Sequence, residues 1–109
     1  MSEQKSAQKT EAGAAAPQNY RMPSEQTLKH AVKLAIVDDK PIMLDYWAPS
    51  LDKKALVGAR DNNEKLLVKS EDEYTSTIQK FYKSGTEYII ITENSIYIVS
   101  SDIPTRKIS

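Results

Sequence analysis

Cysteine is absent from this 109-residue chain, and histidine occurs once, as His30. The absence of cysteine excludes disulfides, thiol nucleophiles, cysteine-ligated zinc and iron–sulfur clusters. A metal site would have to use carboxylates around at most one imidazole, a ligand set that suits magnesium or calcium better than zinc. We expect neither a bound metal nor another cofactor.

Glycine is also scarce, since Gly13, Gly58 and Gly85 are the only three. Three isolated glycines cannot form a P-loop or a dinucleotide-binding fingerprint. No Gly-x-Ser-x-Gly elbow surrounds any serine, so no hydrolase triad is indicated. Gly58 instead predicts a β-bulge or a close backbone approach within a strand.

The chain lacks a long apolar run and an excess of either charge. No segment approaches the roughly 18 apolar residues of a transmembrane helix, and the N-terminus has no apolar stretch of signal-peptide length. Lysine and arginine number 15, as do aspartate and glutamate, which argues against a nucleic-acid binder that depends on an overall basic surface. We expect a soluble intracellular protein that does not associate with membranes.

The strongest positive signal is a β-hairpin over residues 88–99, where two runs rich in isoleucine flank a turn at Glu93-Asn94 or Asn94-Ser95. Alternation along the strands separates their side chains into two faces. One face carries Ile89, Ile91, Ile96 and Ile98, and the other carries Tyr88, Ile90, Tyr97 and Val99. A lone hairpin is marginally stable in water, so a larger sheet must lie behind it.

Residues 1–22 differ in composition from the rest, because they are rich in alanine, glutamine, serine, lysine and glutamate. Such a segment cannot bury enough apolar surface to offset its chain entropy. We predict a disordered N-terminal tail, either a solvating leader or a tether with a short linear motif around residues 17–22. Residues 23–109 are predicted to form a single α+β domain.

An amphipathic helix is predicted to open the domain, with Ser24 as its N-cap and its end near Asp38-Asp39, before Pro41. His30 lies at the margin of the predicted buried stripe. Helical spacing assigns to that stripe Leu28, Ala31, Val32, Ala35 and Ile36.

Two further β segments precede the C-terminal hairpin. Residues 42–47 are predicted to form an interior strand that ends at Pro49. Its two sides would carry Ile42, Leu44 and Tyr46 on one and Met43, Asp45 and Trp47 on the other. Residues 56–60 and 65–69 are predicted to pair as a second hairpin, because Asn62 and Asn63 tolerate left-handed geometry.

Residues 70–85 fit two structures. A capping box at residues 70–73 and Gly85 as a C-cap favour a helix, whereas the β-branched residues Thr75, Thr77 and Ile78 favour a strand over residues 77–82. With the strand, which we prefer, the N-terminal helix packs on a small antiparallel sheet or a partly open SH3-like barrel. With the helix, the domain is a five-stranded antiparallel sheet with two helices. Both are α+β folds.

Two resemblances involve the same stretch of chain. Residues 40–49 are similar to the strand before the active-site motif of thioredoxins, but Ser50 and Leu51 follow in place of cysteine, so no dithiol chemistry is implied. Residues 40–47, 65–70, 73–76, 87–89 and 92–99 carry a second resemblance, which spans residues 34–108. Over residues 34–108 the chain resembles small uncharacterised proteins of large nucleocytoplasmic DNA viruses. That resemblance implies a place in the virion or the host cytoplasm and a structural or host-interaction role, without an activity.

These observations favour a non-catalytic protein-interaction or structural module. The tyrosine face of the C-terminal hairpin, with Trp47, Phe81 and Tyr82, is either core against the N-terminal helix or a surface for a peptide or single-stranded nucleic acid. The final strand, residues 97–100, is expected at an unpaired sheet edge that would allow homo-oligomers. The predicted binding residues are Trp47, Tyr74, Tyr82, Tyr88, Tyr97, Lys65 and Lys69.

A nucleic-acid-binding small barrel is the alternative function, with a basic face beside exposed aromatic rings. We do not expect an enzyme: Asp45, on an apolar strand face, is the one candidate general acid or base, and no nucleophile or partner acid lies near it in sequence. The basic face would gather Lys53, Lys54, Arg60, Lys65, Lys69, Lys80 and Lys83.

Overall fold

The computed structural model describes residues 21–108, so the predicted N-terminal tail lies outside the described residues except for Arg21 and Met22. The described part is an α+β fold, as predicted. Its elements are α1 (Glu25–Asp38), β1 (Ile42–Met43), α2 (Trp47–Leu51), β2 (Leu56–Ala59), β3 (Lys65–Val68), β4 (Ile78–Ser84), β5 (Glu87–Thr92), β6 (Ile96–Ser100) and β7 (Thr105–Lys107).

The strands of residues 21–108 form two mixed sheets rather than one antiparallel sheet. The first has the order β1-β6-β5-β4 and is antiparallel except for β1, which runs parallel to β6. The second has the order β3-β2-β7, in which β2 is antiparallel to β3 and parallel to β7. The SH3-like barrel is not confirmed, because these strands are divided between two separately hydrogen-bonded sheets.

The β5–β6 hairpin has the predicted register and faces. Ile89 lies opposite Ile98, and Ile91 lies opposite Ile96, so the four isoleucines share one face. All four are fully buried. The turn is Glu93-Asn94, closed by a 2.9 Å hydrogen bond from the Thr92 amide to the Ser95 carbonyl oxygen.

Different layers cover the two faces of this hairpin. Leu28, Ala31 and Leu34 of α1 pack with Trp47 on the isoleucine face. Val57 and Leu67, from the three-stranded sheet, pack on the face that carries the tyrosines. The expectation that the helix would cover the tyrosine face is therefore wrong, because β2 and β3 supply a second sheet that occupies that side.

α1 begins and ends where the sequence predicts, and part of the predicted stripe is confirmed, since Leu28, Ala31 and Ala35 pack on the isoleucine face. The Ser24 hydroxyl oxygen accepts a hydrogen bond of 3.2 Å from the Thr27 amide, as an N-cap should. Val32 and Ile36, predicted to be buried, are 47% and 75% exposed. The helix is rotated so that Thr27 and Leu34 face the sheet instead, because Thr27 bonds to buried groups of β4 and β5.

The strand predicted over residues 42–47 ends after Met43, and α2 begins at Trp47. Pro49 is the third residue of α2, where a missing amide donor costs nothing because first-turn amides have no helical acceptor. β1 is an edge strand, not an interior one. It pairs with Ile96 and Tyr97 of β6, and the Ser100 amide at the end of β6 donates to the Ser50 hydroxyl oxygen at 2.9 Å, so the edge predicted to be unpaired at residues 97–100 is engaged at both ends. The homo-oligomer through that edge stays a prediction.

The remaining β segments agree with the prediction. β2 and β3 pair as a hairpin, with Asn63 in the left-handed region at φ 69°. Residues 78–84 form β4, a strand rather than a helix, and pair with β5. Gly85 therefore lies in the β4–β5 turn at φ 61°, not at a helix C-cap.

Candidate functional site

A groove of about 480 Å³ opens on the outer face of the three-stranded sheet. Alternation along β2 and β3 turns Val57 and Leu67 toward the core. Their neighbours in sequence therefore face the other way and line the groove. The apolar lining consists of Leu56, Leu66, Val68, Tyr74 and Ile108.

Gly58 lies on the same face as Leu56 and allows one wall of the groove to approach closely. A Cβ atom at Gly58 would stand 2.7 Å from Ile108 Cδ1 and 3.0 Å from Val68 Cγ2. Ile108 thus packs across β2 in the space that a larger residue would need. Gly58 is predicted to mark a bulge or a close backbone approach, but the β2–β3 register is regular and the atoms nearest to it are side-chain atoms of Ile108 and Val68.

Tyr74 forms the opposite wall and is held by a short extension of the sheet. The Lys69 amide donates to the Glu73 carbonyl oxygen at 2.8 Å, and the Thr75 amide donates to the Leu67 carbonyl oxygen at 2.9 Å. Tyr74 is thereby paired with Val68 on β3. Its backbone is fixed while its side chain remains 55% exposed.

The polar rim places unlike groups at the two ends of the groove. Arg60 follows the end of β2, whereas Lys69 and Glu71 follow the end of β3, which runs in the opposite direction. The Lys69 ammonium lies 3.6 Å from the Glu73 carboxylate and 4.6 Å from the centroid of the Tyr46 ring. Arg60 forms no ion pair with any residue between 21 and 108.

Lys69 connects the rim to a pair of tyrosines in the core. The rings of Tyr46 and Tyr97 meet edge to face with their centroids 5.2 Å apart. Burial raises the pKa of Tyr46 to about 12, and the neighbouring Tyr97 phenol and Asp45 carboxylate act in the same direction. Burial also raises the pKa of Tyr97. Both phenols are therefore protonated near neutral pH, as core hydroxyls rather than acid–base groups.

The structure divides the predicted binding residues among several places. Tyr74 and Lys69 line the groove. Lys65 lies in a separate depression of about 340 Å³ that it shares with Lys80 and Phe81. The groove thus keeps two of the seven predicted residues and adds Arg60 from the predicted basic set.

The other predicted aromatic residues contribute to packing. Trp47 is buried, and its indole N–H donates to the Arg21 carbonyl oxygen at 2.5 Å. Tyr82 is half-buried beside His30, with 5.6 Å between their ring centroids. Tyr88 and Tyr97 are half-buried against the core between the two sheets, so this face packs in the core, but against the second sheet rather than against α1 as predicted.

The basic residues are spread over both sheets. Lys53 and Lys54 precede β2, and Arg60 follows it. On β4, Lys80 pairs with Ile91 and Lys83 pairs with Tyr88, which places these two lysines on opposite faces of that strand. The single basic face expected for a nucleic-acid-binding barrel does not follow from this arrangement.

Sequence reasoning missed the apolar floor of the groove. The predicted second hairpin already placed Leu56 and Gly58 on one face with Leu66 and Val68, but nothing in the sequence shows which face of that hairpin the core covers. Ile108 lies beyond the last predicted strand. In the sequence Ile108 is an isolated apolar residue near the C-terminus, and nothing around it indicates that it lines a groove.

The residues considered for catalysis lie apart. Asp45 is exposed in the turn before α2, not on an apolar strand face, and His30 is exposed on α1. Between residues 21 and 108, histidine and carboxylate side chains form no group of three or more that could hold a metal ion. Neither α1 nor α2 has the length and apolar character needed to span a membrane.

Comparisons of the chain with protein-family models, with curated proteins and with solved structures find no match. The function is therefore argued from the chemistry of the groove and its rim.

Proposed function

We propose that this protein is a non-catalytic interaction module that binds a segment of another protein in the groove of the three-stranded sheet. The groove itself carries the proposal: it has an apolar floor, an exposed aromatic wall at Tyr74 and a cation at Arg60 that forms no ion pair within residues 21–108. Concave apolar sites with a few convergent polar groups are the usual form of binding sites. Tyrosine and arginine are also enriched among the residues that dominate interface energetics.

The rim indicates the chemistry of the bound segment. Apolar side chains suit the floor between Leu56 and Tyr74, and a carboxylate suits the Arg60 end, where a guanidinium can donate two parallel hydrogen bonds. At the other end Glu71 disfavours a second acid, and Lys69 already shares its charge with Glu73. We therefore expect an apolar segment with an acidic residue at one end only.

A viral origin, as the resemblance implies, would make the partner a virion or host protein. The setting that we propose is the virion or the host cytoplasm. In either setting the module acts by contact and does no bond-making chemistry.

Selection from a random peptide library tests this proposal. Peptides selected on the full chain should contain an apolar pair next to an acid, and Tyr74→Ala should weaken their binding at least about tenfold, or about 1.4 kcal/mol. Leu44→Ala is the matched control, since it removes another large exposed apolar side chain, one that lies outside the groove and outside β4. The proposal fails if no peptide is enriched, or if Tyr74→Ala and Leu44→Ala have equal effects.

Nucleic-acid binding is the alternative that a second measurement decides. Labelled single-stranded oligonucleotides are titrated with the protein at low and at moderate salt. Phosphate contacts would give an affinity that falls steeply as salt rises. Salt-dependent binding that Tyr74→Ala abolishes would show that the partner of the groove is a nucleic acid rather than a peptide. Absence of oligonucleotide binding at low salt would rule out the nucleic-acid alternative.

A further inference from the structure

The free edge of β4 is a second surface, formed by residues other than those that line the groove. β4 is the terminal strand of the four-stranded sheet, and at seven residues it is the longest strand of the described chain. Its ladder runs to β5 on one side only. An edge strand presents backbone N–H and C=O groups that another extended chain can pair with. We propose that the β4 edge binds an acidic extended segment of a partner protein by β-strand addition.

The usable length of the edge follows from the register of β4. Pairing with β5 is regular from Lys80 to Ser84, but it shifts between Ile78 and Lys80. Both ends of the strand are engaged: the Lys40 ammonium donates to the Gln79 side-chain oxygen at 3.1 Å, and Thr27 bonds to Ser84. The segment from Lys80 to Lys83 is therefore the straight, available part.

Side chains on both faces of this segment offer the same pair of groups. Lys80 and Tyr82 face the side of the sheet that α1 covers, since they lie opposite Ile91 and Ile89. Phe81 and Lys83 face the other side. Phe81 is 41% exposed, and its ring meets Tyr88 edge to face at 4.7 Å. Each face of an added strand would thus meet one ring and one ammonium group.

The charge of β4 selects an acidic partner. Residues 78–84 include no aspartate or glutamate. Neither Lys80 nor Lys83 forms an ion pair with any residue between 21 and 108. His30, exposed on α1, lies beside Tyr82 on the same flank. The neighbouring depression, which Lys80 and Phe81 help to line, includes one carboxylate residue, Glu64, and one further cation, Lys65.

A second copy of this chain is disfavoured as the occupant by the same charges. Joining two β4 edges in an antiparallel pair gathers Lys80 and Lys83 of both copies, four ammonium groups, along one short seam, and residues 78–84 supply no carboxylate to balance them. Like charges gathered in this way repel each other and disfavour the pair. Acidic side chains on a partner strand would instead form favourable cross-strand pairs with these lysines.

The test uses synthetic capped peptides with the full-length protein. The probe is the six-residue peptide Val-Glu-Val-Val-Glu-Val, in which the two glutamates lie three positions apart and so on opposite faces of the added strand, as the two lysines do on β4. Two companions replace its glutamates with lysines or methylate alternate backbone nitrogens. Binding is followed by amide chemical shifts and hydrogen exchange in β4. We expect the glutamate peptide to protect β4 amides, and the lysine and N-methylated peptides to bind at least about tenfold more weakly, because they lose the charge pairs or the backbone hydrogen bonds.

Charge reversal on the protein completes the test. The double substitution Lys80→Glu with Lys83→Glu should weaken the binding of the glutamate peptide at least about tenfold. It should strengthen the binding of the lysine peptide. Lys53→Glu with Lys54→Glu is the matched control, since it makes the same charge change at exposed positions outside β4. The proposal is wrong if the glutamate peptide does not bind at about 1 mM, if protection appears elsewhere, or if both charge reversals act alike. Tyr74→Ala should leave this binding unchanged, which separates it from the groove.

Discussion

The Thr27 hydroxyl on α1 donates a hydrogen bond of 2.5 Å to the carboxylate of Glu87 on β5, and both residues are buried. The Ser24 hydroxyl donates to the same carboxylate at 3.0 Å, and the Ser24 amide contacts it at 3.3 Å. The N-terminus of a helix favours a negative charge, because its first amides lack helical acceptors and its dipole is positive there. Glu87 thus anchors the start of α1 and sets which face of the helix meets the sheet.

Glu87→Gln should destabilise the fold by about 1 to 3 kcal/mol, since the neutral amide keeps the shape of the side chain but loses charge-assisted hydrogen bonds. Urea unfolding followed by far-ultraviolet circular dichroism measures the loss. Thr27→Val tests the other partner, because it removes the hydroxyl group at nearly constant volume.

A double-mutant cycle identifies the Thr27–Glu87 contact as the source of the effect. If the hydrogen bond carries the stabilisation, Thr27→Val combined with Glu87→Gln should cost less than the sum of the two single changes, by about 0.5 to 1.5 kcal/mol. Strict additivity would show that the two residues contribute independently and would contradict the anchoring role.

A matched pair of truncations tests the orientation of α1. Leu34→Ala removes a side chain that packs on the isoleucine face, and it should cost about 2 kcal/mol or more. Ile36→Ala removes a side chain that is 75% exposed and should change the free energy of unfolding by less than about 0.5 kcal/mol. Equal losses in urea unfolding would contradict the packing of Leu34 on the isoleucine face and the exposure of Ile36.

Local pattern was enough where the pattern was unambiguous. The β5–β6 register followed from strict alternation and a short turn, and the start of α1 followed from Ser24. Helical spacing alone could not orient α1, because Val32 and Ile36 continue an apolar stripe as well as Leu34 does. The deciding contact is with Glu87, a polar residue 60 positions after Thr27, and no local signal links the two.

The site was less predictable than the fold because it depends on how two sheets stack. Lys69 and Tyr74 were identified for their side-chain chemistry, and both do line the groove. Tyr88 and Tyr97 have the same chemistry, but the second sheet covers them. Residues 44–46 show a related effect. Their alternating pattern predicts a strand, but they form a turn that leads into α2, and Trp47 at the start of α2 packs with residues of α1.

Gly58→Ala should destabilise the three-stranded sheet by about 1 to 3 kcal/mol, because its Cβ atom would overlap Ile108 Cδ1. Ile108→Ala in the same chain should restore part of that loss by clearing the space. Thermal unfolding monitors both variants. Gly85→Ala is the contrasting case. A Cβ atom at Gly85 would meet open space, but the backbone φ there is 61°, so the substitution should cost about 1 kcal/mol of backbone strain whether or not Ile108→Ala is present.

Stability should decline in alkaline solution through the buried tyrosines. The pKa of Tyr46 is raised from 10.0 to about 12 in the folded chain, chiefly by burial, and the pKa of Tyr97 is raised as well. A phenol with a higher pKa when folded favours the folded state only while it is protonated. The contribution is therefore complete below about pH 10 and is lost as the pH rises to about 12. One pKa unit corresponds to about 1.4 kcal/mol, so Tyr46 alone should account for up to about 3 kcal/mol.

Urea unfolding at several pH values measures the decline, and Tyr46→Phe should flatten it. A wild-type stability that stays constant from about pH 9 to about pH 12 would contradict the burial of this hydroxyl.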